Sequence, residues 1–178
     1  MTFHCAVVLP AAGHGQRFGS TLPKQLQSVH GQPLLLHTLQ AFVRIGQSSS
    51  VVNIRRVVIA CPAAYLNFIR EFIRNWQTNE QLVEGQTCPH LDLVEGEHTR
   101  HRTIRKCIQQ LSSERAGDSS GDPHLMVIIH DAVRPLICAD LVEQLLEKSK
   151  KYGVRVCVCV CVDAGSVCHN LVVINFFN

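Results

Sequence analysis

Short apolar runs alternate with helix-periodic segments along this chain, and this alternation restricts the fold more than any other feature of the sequence. Helices are predicted over residues 33–44, 63–76, 99–111 and 139–151, and strands over residues 5–9, 56–60, 91–94, 125–129 and 154–162. Residues 46–50 and 112–123 are predicted to be polar connections. Strands and helices in this order form a mostly parallel sheet covered on both faces. We therefore predict a three-layer, doubly wound α/β fold that binds ligands at the carboxyl ends of its strands.

The size and charge distribution favour one globular domain that binds a small anion. The chain has 178 residues, of which 46% are hydrophobic, and this is enough to bury a core. Residues 1–70 contain six Lys and Arg side chains but no Asp or Glu, and all 14 acidic residues lie from Glu71 onward. The cations are scattered, without a basic run or interleaved aromatic residues, so nucleic acid is not the expected partner.

The nine cysteines do not indicate a secreted disulfide scaffold, because the chain is long and rich in apolar strands. The N-terminus lacks the charged lead segment and the long apolar core of a signal peptide, and no stretch reaches the length of a membrane span. We therefore expect a cytoplasmic protein with reduced thiols and no membrane partner.

The first strand leads directly into a loop of small residues, and two cations follow on the same connection. Glycines allow the backbone to approach a ligand closely and to direct successive N–H groups at it. Arg17 and Lys24 add positive charge where phosphate oxygens would collect. The loop therefore predicts a nucleoside triphosphate held by its phosphates; its residues are Pro10, Ala11, Ala12, Gly13, His14 and Gly15.

Other glycine-loop chemistries match this segment less well. The dinucleotide fingerprint needs a third glycine where Phe18 stands, and an acidic residue about 20 residues further on. A P-loop needs four residues between its glycines and a following Gly-Lys-Ser/Thr, which the sequence lacks. A bare Gly-x-Gly would favour an ordinary strand-to-helix turn, but Arg17 and Lys24 favour phosphate binding.

A second motif, residues 94–103, follows a predicted strand and opens a helix. Thr99 can cap this helix, and its free N–H groups can meet the edge of a ligand. Arg100 and Thr103 lie one turn apart on the same helical face. Taken alone, the segment is equally typical of a capped surface helix with solvated cations.

The third motif is His130-Asp131-Ala132-Val133-Arg134-Pro135, at the end of the most hydrophobic strand. Asp131 is a candidate ligand for Mg²⁺, which binds through one or two carboxylates plus phosphates. Arg134 is a candidate for bidentate binding of a second phosphate. The alternatives are an Asp131–Arg134 salt bridge that closes a turn, and a metal hydrolase, for which two residues are little support.

Together the three motifs resemble those of the cytidylyltransferases that join CTP to a sugar-alcohol phosphate. This family comprises the methylerythritol-phosphate enzyme of bacterial and plastid isoprenoid synthesis and the animal ribitol-5-phosphate enzyme. The first loop matches the family's Ala-Ala/Gly-Gly-x-Gly-x-Arg…Pro-Lys-Gln pattern, and residues 99–102 and 127–135 resemble the animal branch. The resemblance covers about residues 5–153.

The resemblance implies a Rossmann-like nucleotidyltransferase fold and transfer of CMP from CTP to a polyol phosphate, with release of pyrophosphate. D-Ribitol 5-phosphate is expected before methylerythritol 4-phosphate as the acceptor. Arg17 and Lys24 would be the catalytic residues, Asp131 would bind Mg²⁺, and Arg134 would bind the sugar phosphate. The implied CTP-binding residues are Pro10, Ala11, Ala12, Gly13, His14, Gly15, Gly96, Arg100 and Thr103.

The sequence also departs from the family pattern. Glu97 stands where the family has a second glycine, and the family's later dimerisation arm, second carboxylate and substrate lysine have no counterpart in residues 154–178. Cysteines 157, 159 and 161 share one face of the predicted last strand at about 6.6 Å spacing, which favours a buried strand over a zinc site.

From these departures we expect a nucleotidyltransferase domain over residues 1–153 and a divergent tail over residues 154–178 that continues or caps the sheet. We expect a truncated product that is a monomer or weak dimer, whereas the full-length family is homodimeric. The alternatives are an inactive CTP-binding fragment or regulatory isoform and, more distantly, an NAD-dependent oxidoreductase.

Overall fold

A computed structural model describes residues 2–13, 22–79, 88–113, 125–152, 156–160 and 169–175. The α-helices in these ranges are α1 (Leu34–Ser48), α2 (Leu66–Asn79), α3 (Arg100–Ser113) and α4 (Ala139–Tyr152). Short 3₁₀ turns cover Lys24–Leu26 and Ala63–Tyr65. The strands are β1 (Phe3–Pro10), β2 (Ser28–Val29), β3 (Gln32–Pro33), β4 (Val52–Cys61), β5 (His90–Glu95), β6 (Met126–His130), β7 (Val156–Val160) and β8 (His169–Asn175).

The main sheet has the strand order β5-β4-β1-β6-β8-β7. Its first four strands are mutually parallel, whereas β8 runs antiparallel to both β6 and β7. Strands β2 and β3 form a separate antiparallel hairpin. The prediction of an α/β fold built on a mostly parallel sheet is therefore confirmed.

The sheet is covered by helices on both faces. Alternate side chains of β1 point to opposite sides: Cys5, Val7 and Leu9 share a core with α1, α2 and α4, while Ala6 and Val8 pack with α3. Residues 5–9 are completely buried, because a central parallel strand has a helical layer above and below it. None of the helices in the described ranges is long and apolar enough to cross a membrane.

Two predicted boundaries were wrong. Helix α1 continues through Gly46 to Ser48, where a polar break over residues 46–50 was predicted. A Cβ at Gly46 would lie 3.3 Å from the Cβ of Ile54, so the missing side chain lets this end of the helix pack closely on β4. Helix α3 extends to Ser113, into the loop predicted over residues 112–123, and the rest of that loop lies outside the described residues.

The last described strands lie at one edge of the sheet. Strand β7 lies within the predicted strand 154–162, whereas β8 was not predicted as a strand. Strand β8 inserts between β6 and β7, and its Val173 is completely buried in the core shared with α4. Cys157 and Cys159 lie in β7, and Cys161 lies outside the described residues.

We predict that Phe42→Ala destabilises the protein by about 3–5 kcal/mol, because it removes a fully buried ring and leaves a cavity. Phe42 lies on α1 and meets the ring of His130 edge-on, with 5.3 Å between the ring centroids. Urea unfolding measures the change. The matched control is Phe68→Ala, at a ring that is 43% exposed, with an expected loss of about 1 kcal/mol or less. Equal losses at both positions would contradict this description of the core.

Candidate functional site

The three motifs singled out in the sequence follow strands β1, β5 and β6, whose carboxyl ends lie at the same edge of the sheet. The backbone joins these ends directly. The N–H of Ala11 donates to the carbonyl of Ala60 at 2.6 Å, and the N–H of Gly96 donates to the carbonyl of Cys61 at 2.9 Å. The segments that leave β1 and β5 are therefore both held against the end of β4.

The start of the small-residue loop becomes progressively more exposed. Ala11 is buried, Ala12 is half-buried and Gly13 is exposed. Among the described residues, a Cβ at Gly13 would meet no atom within 4 Å. The remaining predicted residues of this motif, His14, Gly15 and Arg17, lie outside the described residues.

Hydrogen bonds from the side chain of Gln25 join this loop to the turn that carries Lys24. The side-chain amide of Gln25 donates to the carbonyl of Ala11 and, at 3.0 Å, to the carbonyl of Gly13. The amide is buried, with the residue only 4% exposed, whereas the neighbouring Lys24 is half-buried. No role was predicted for Gln25 from the sequence, although the residue stands within the Pro-Lys-Gln element that indicated the site.

Gly96 lies against the first loop so closely that no other residue fits. A Cβ at Gly96 would be 2.0 Å from the Cβ of Ala12, far inside any real contact distance. The loops after β1 and β5 thus form one surface, with Gly96 as the point of contact. Glycine is required here by the approach of a neighbouring loop, not by a positive φ.

Thr103 holds the turn that contains Glu97. Its hydroxyl accepts a hydrogen bond from the N–H of Glu97 at 2.9 Å and donates to the carbonyl of Glu97 at 3.2 Å. Thr103 is only 2% exposed, so both bonds are sheltered from water. The predicted helix cap is confirmed, since the hydroxyl of Thr99 accepts from the N–H of Arg102 at 3.3 Å.

Arg100, Asp131 and Arg134 form one charged cluster. Nη2 of Arg100 lies 2.5 Å from Oδ1 of Asp131, and Nε of Arg134 lies 3.1 Å from Oδ2. The Asp131–Arg134 salt bridge considered in the sequence analysis is confirmed, and the structure adds Arg100 from the second motif. The side chain of Asp131 is only 15% exposed, so the two guanidinium groups compensate a carboxylate that has lost most of its hydration.

Buried side chains fix the backbone of this third motif. His130 is completely buried and donates from Nε2 to the carbonyl of Arg134 at 2.8 Å. The hydroxyl of Thr38 on α1 donates to the carbonyl of Ala132 at 3.0 Å. The N–H of Arg134 closes the turn on the carbonyl of Asp131 at 3.1 Å. His130 therefore fixes the backbone of the turn that carries Asp131 and Arg134.

The carboxylate of Asp131 suits a metal ion that also binds phosphate oxygens of a substrate. Within the described ranges there is no group of three or more His, Cys, Asp or Glu side chains that could hold a metal ion. Mg²⁺ characteristically keeps several waters and binds one or two carboxylates plus substrate phosphates. Asp131 fits that mode as a single protein ligand.

The thiols of Cys5, Cys61 and Cys107 are not candidate nucleophiles. Burial raises the pKa of the Cys61 thiol to about 11, and the pKa values of Cys5 and Cys107 to about 12. These three groups stay protonated at neutral pH, and a thiol reacts as its thiolate. The described cysteines 5, 61, 88, 107 and 138 are free of disulfides.

The fold and the site together place the chain among the α/β proteins that bind ligands at the carboxyl ends of parallel strands. The sequence model of the 2-C-methyl-D-erythritol 4-phosphate cytidylyltransferase (IspD) family matches residues 5–175. The chain belongs to this cytidylyltransferase family. The predicted resemblance is confirmed, and the match extends beyond residue 153, where the sequence analysis had expected it to end.

Similar proteins include the D-ribitol-5-phosphate cytidylyltransferases of Xenopus tropicalis and Homo sapiens. The first is 35% identical over 149 residues, covering 84% of this chain and 32% of the relative. The second is 31% identical over 148 residues, covering 83% of this chain and 29% of the relative. The chain thus spans about a third of the length of these curated relatives.

Solved structures show the same fold. The 4-diphosphocytidyl-2C-methyl-D-erythritol synthase of Anaerococcus prevotii superposes with a TM-score of 0.59 at 17% identity, over 98% of this chain and 71% of that chain. The bifunctional IspDF of Campylobacter jejuni superposes with a TM-score of 0.57 at 19% identity, over 83% of this chain and 31% of that chain.

We predict that Gly96→Ala destabilises the protein by about 1–3 kcal/mol, because the added methyl overlaps Ala12 and forces the two loops apart. Chemical unfolding measures the change. The double variant Ala12→Gly/Gly96→Ala should recover part of the loss, since it removes the atom that the new methyl meets. Gly13→Ala, where the added Cβ would meet no described atom within 4 Å, is the control and should change the free energy of unfolding by about 0.5 kcal/mol or less. The contact would be refuted if the double variant lost at least as much free energy of unfolding as Ala12→Gly and Gly96→Ala lose together.

Proposed function

We propose that this chain binds CTP with a divalent cation and transfers CMP to a polyol phosphate, releasing pyrophosphate. D-Ribitol 5-phosphate is the preferred acceptor because both relatives described above carry that name. Methylerythritol 4-phosphate, which appears in the family description, is the second choice. The observation that supports the proposal is the meeting of the small-residue loop, Gly96 and the Arg100–Asp131–Arg134 cluster at one edge of the sheet.

The proposed reaction is an in-line displacement at phosphorus. A phosphate oxygen of the polyol phosphate forms a bond to the α-phosphorus of CTP, and the bond from that phosphorus to the bridging oxygen of pyrophosphate breaks. Such transfers depend on positioning and on stabilising the charge that develops on phosphate oxygens. A covalent enzyme intermediate is not required.

In this proposal each motif handles a different part of the substrates. The triphosphate lies against the backbone of residues 10–15, with N–H donors from residue 12 onward, because Pro10 has no N–H and the N–H of Ala11 donates to Ala60. Lys24, with Arg17, neutralises the α-phosphate and the departing pyrophosphate. Gly96 and Arg100 face the nucleotide. Thr103, whose hydroxyl is committed to the backbone of Glu97, acts by holding the turn that presents them.

The third motif serves the metal and the acceptor. Asp131 would hold Mg²⁺, which when bound supplies positive charge to the phosphates. Arg134 contributes a planar guanidinium suited to the phosphate of the acceptor. Its side chain is 31% exposed, which leaves it accessible from solvent.

We predict that Lys24→Ala lowers the rate of transfer by about 100-fold or more, because it removes charge stabilisation at the reacting phosphate. The free energy of unfolding should change by about 1 kcal/mol or less, since Lys24 is only half-buried. A pyrophosphate-release assay and urea unfolding measure the two effects. Lys148→Ala, at an exposed position on α4, is the control and should leave both unchanged. Loss of stability in proportion to loss of rate would show that Lys24 is structural.

The proposed function is tested by calorimetry with CTP and Mg²⁺, combined with pyrophosphate release in the presence of each acceptor. We expect CTP to bind, and D-ribitol 5-phosphate to support faster release than methylerythritol 4-phosphate. CTP binding without release with either acceptor would favour the alternative, a CTP-binding protein without turnover. Failure to bind CTP would contradict the proposal. An NAD-dependent oxidoreductase loses its support because the chain belongs to a cytidylyltransferase family.

A further inference from the structure

Both oxygens of the Asp131 carboxylate contact guanidinium groups, but the two arginines come from different parts of the chain. Arg134 lies three residues further along the same turn, with its Nε 3.1 Å from Oδ2. Arg100 is the first residue of α3, and its Nη2 is 2.5 Å from Oδ1. The second motif therefore supplies a cation to the carboxylate that is the candidate metal ligand of the third.

The two ion pairs differ in how easily they can open. Arg134 lies in the same turn as Asp131, its backbone is fixed by the hydrogen bonds from His130 and to Asp131, and its side chain is 31% exposed. The side chain of Arg100 is 52% exposed, against 15% for Asp131. Arg100 also sits at a helix N-terminus, where the helix dipole disfavours a cation. Of the two partners, Arg100 is the one that can move to water or to a phosphate while the turn stays intact.

Arg100 and a metal ion compete for Oδ1 of Asp131. A magnesium ion binds carboxylate oxygen at about 2.0–2.1 Å, which is shorter than the present contact to Nη2, and two cations on one oxygen repel each other. Without any cation on Oδ1, the largely buried carboxylate would keep Arg134 as its charged partner. Binding of a metal ion at Oδ1 therefore favours departure of Arg100.

We propose that Arg100 is a placeholder for the metal ion: it neutralises Asp131 until a metal–nucleotide complex arrives, and then releases it. This rests on the proposed function, in which Asp131 binds the cation of CTP. A free divalent cation has to displace Arg100 without compensation. A metal–CTP complex brings phosphate oxygens that can receive the released guanidinium in charge-assisted hydrogen bonds. Metal and nucleotide therefore bind cooperatively, and Arg100 passes from carboxylate to phosphate.

The test is titration of the protein with Mn²⁺ in the absence of nucleotide, with free Mn²⁺ followed by electron paramagnetic resonance. We expect Arg100→Gln to bind Mn²⁺ about tenfold more tightly than the unmodified chain, because the guanidinium that competes for Oδ1 of Asp131 is removed. Arg102→Gln, at an exposed position in the same helical turn, removes the same charge and should stay within about twofold of the unmodified chain. With saturating CTP the advantage of Arg100→Gln should disappear.

The placeholder role is overturned if Arg100→Gln binds Mn²⁺ no more tightly than the unmodified chain, or if Arg102→Gln gains as much. Should Arg100→Gln fail to fold, Arg100→Lys replaces it. This variant keeps the charge but loses the planar guanidinium, so its affinity for Mn²⁺ should exceed that of the unmodified chain by less than about tenfold. A different result would show that the proposed function is wrong. In that case Mn²⁺ and CTP together bind Asp131→Asn as tightly as the unmodified chain, and Asp131 is not a metal ligand.

Discussion

The parallel pairing of β5, β4, β1 and β6 is the constraint on which the site depends. Its register pairs Pro10 with Ala60, and Cys61 with Glu95, so these strands end side by side. Loops that are distant in sequence therefore begin as neighbours. Contacts between the loops follow from this alignment, including the close approach of Gly96 to Ala12 and the ion pair between Arg100 and Asp131.

Much of the fold could be predicted because its signals are local. Fully apolar runs such as residues 125–129 indicate strands covered on both faces, and β6 is buried at every position. Two features needed information that the local pattern lacks. Helix α1 passes Gly46 because packing on Ile54 outweighs the weak helix propensity of glycine. Strand β8 lies between β6 and β7, and its short apolar run over residues 171–174 reveals neither its partner nor its direction.

The site was predictable in location but not in its internal connections. Motifs placed after strands predict a cluster at the carboxyl edge, and the described motifs lie there. The contacts within the cluster join residues far apart in sequence, such as Gln25 to Ala11, and Thr38 to Ala132. A single sequence offers no measure of those distances. For the same reason Thr103 could be placed on a helix face but not assigned to the backbone of Glu97.

The central claim is that nucleotide and metal bind at this carboxyl edge, between the ends of β1, β5 and β6. Paramagnetic broadening of backbone amide signals by Mn²⁺·CTP, in uniformly ¹⁵N-labelled protein, tests it most directly. We expect selective broadening of the amides of Gly13, Gly96 and Asp131, with Val51 at the opposite edge of the sheet unaffected. Broadening centred on Val51 and its neighbours, with the signals of Gly96 and Asp131 unchanged, would contradict it.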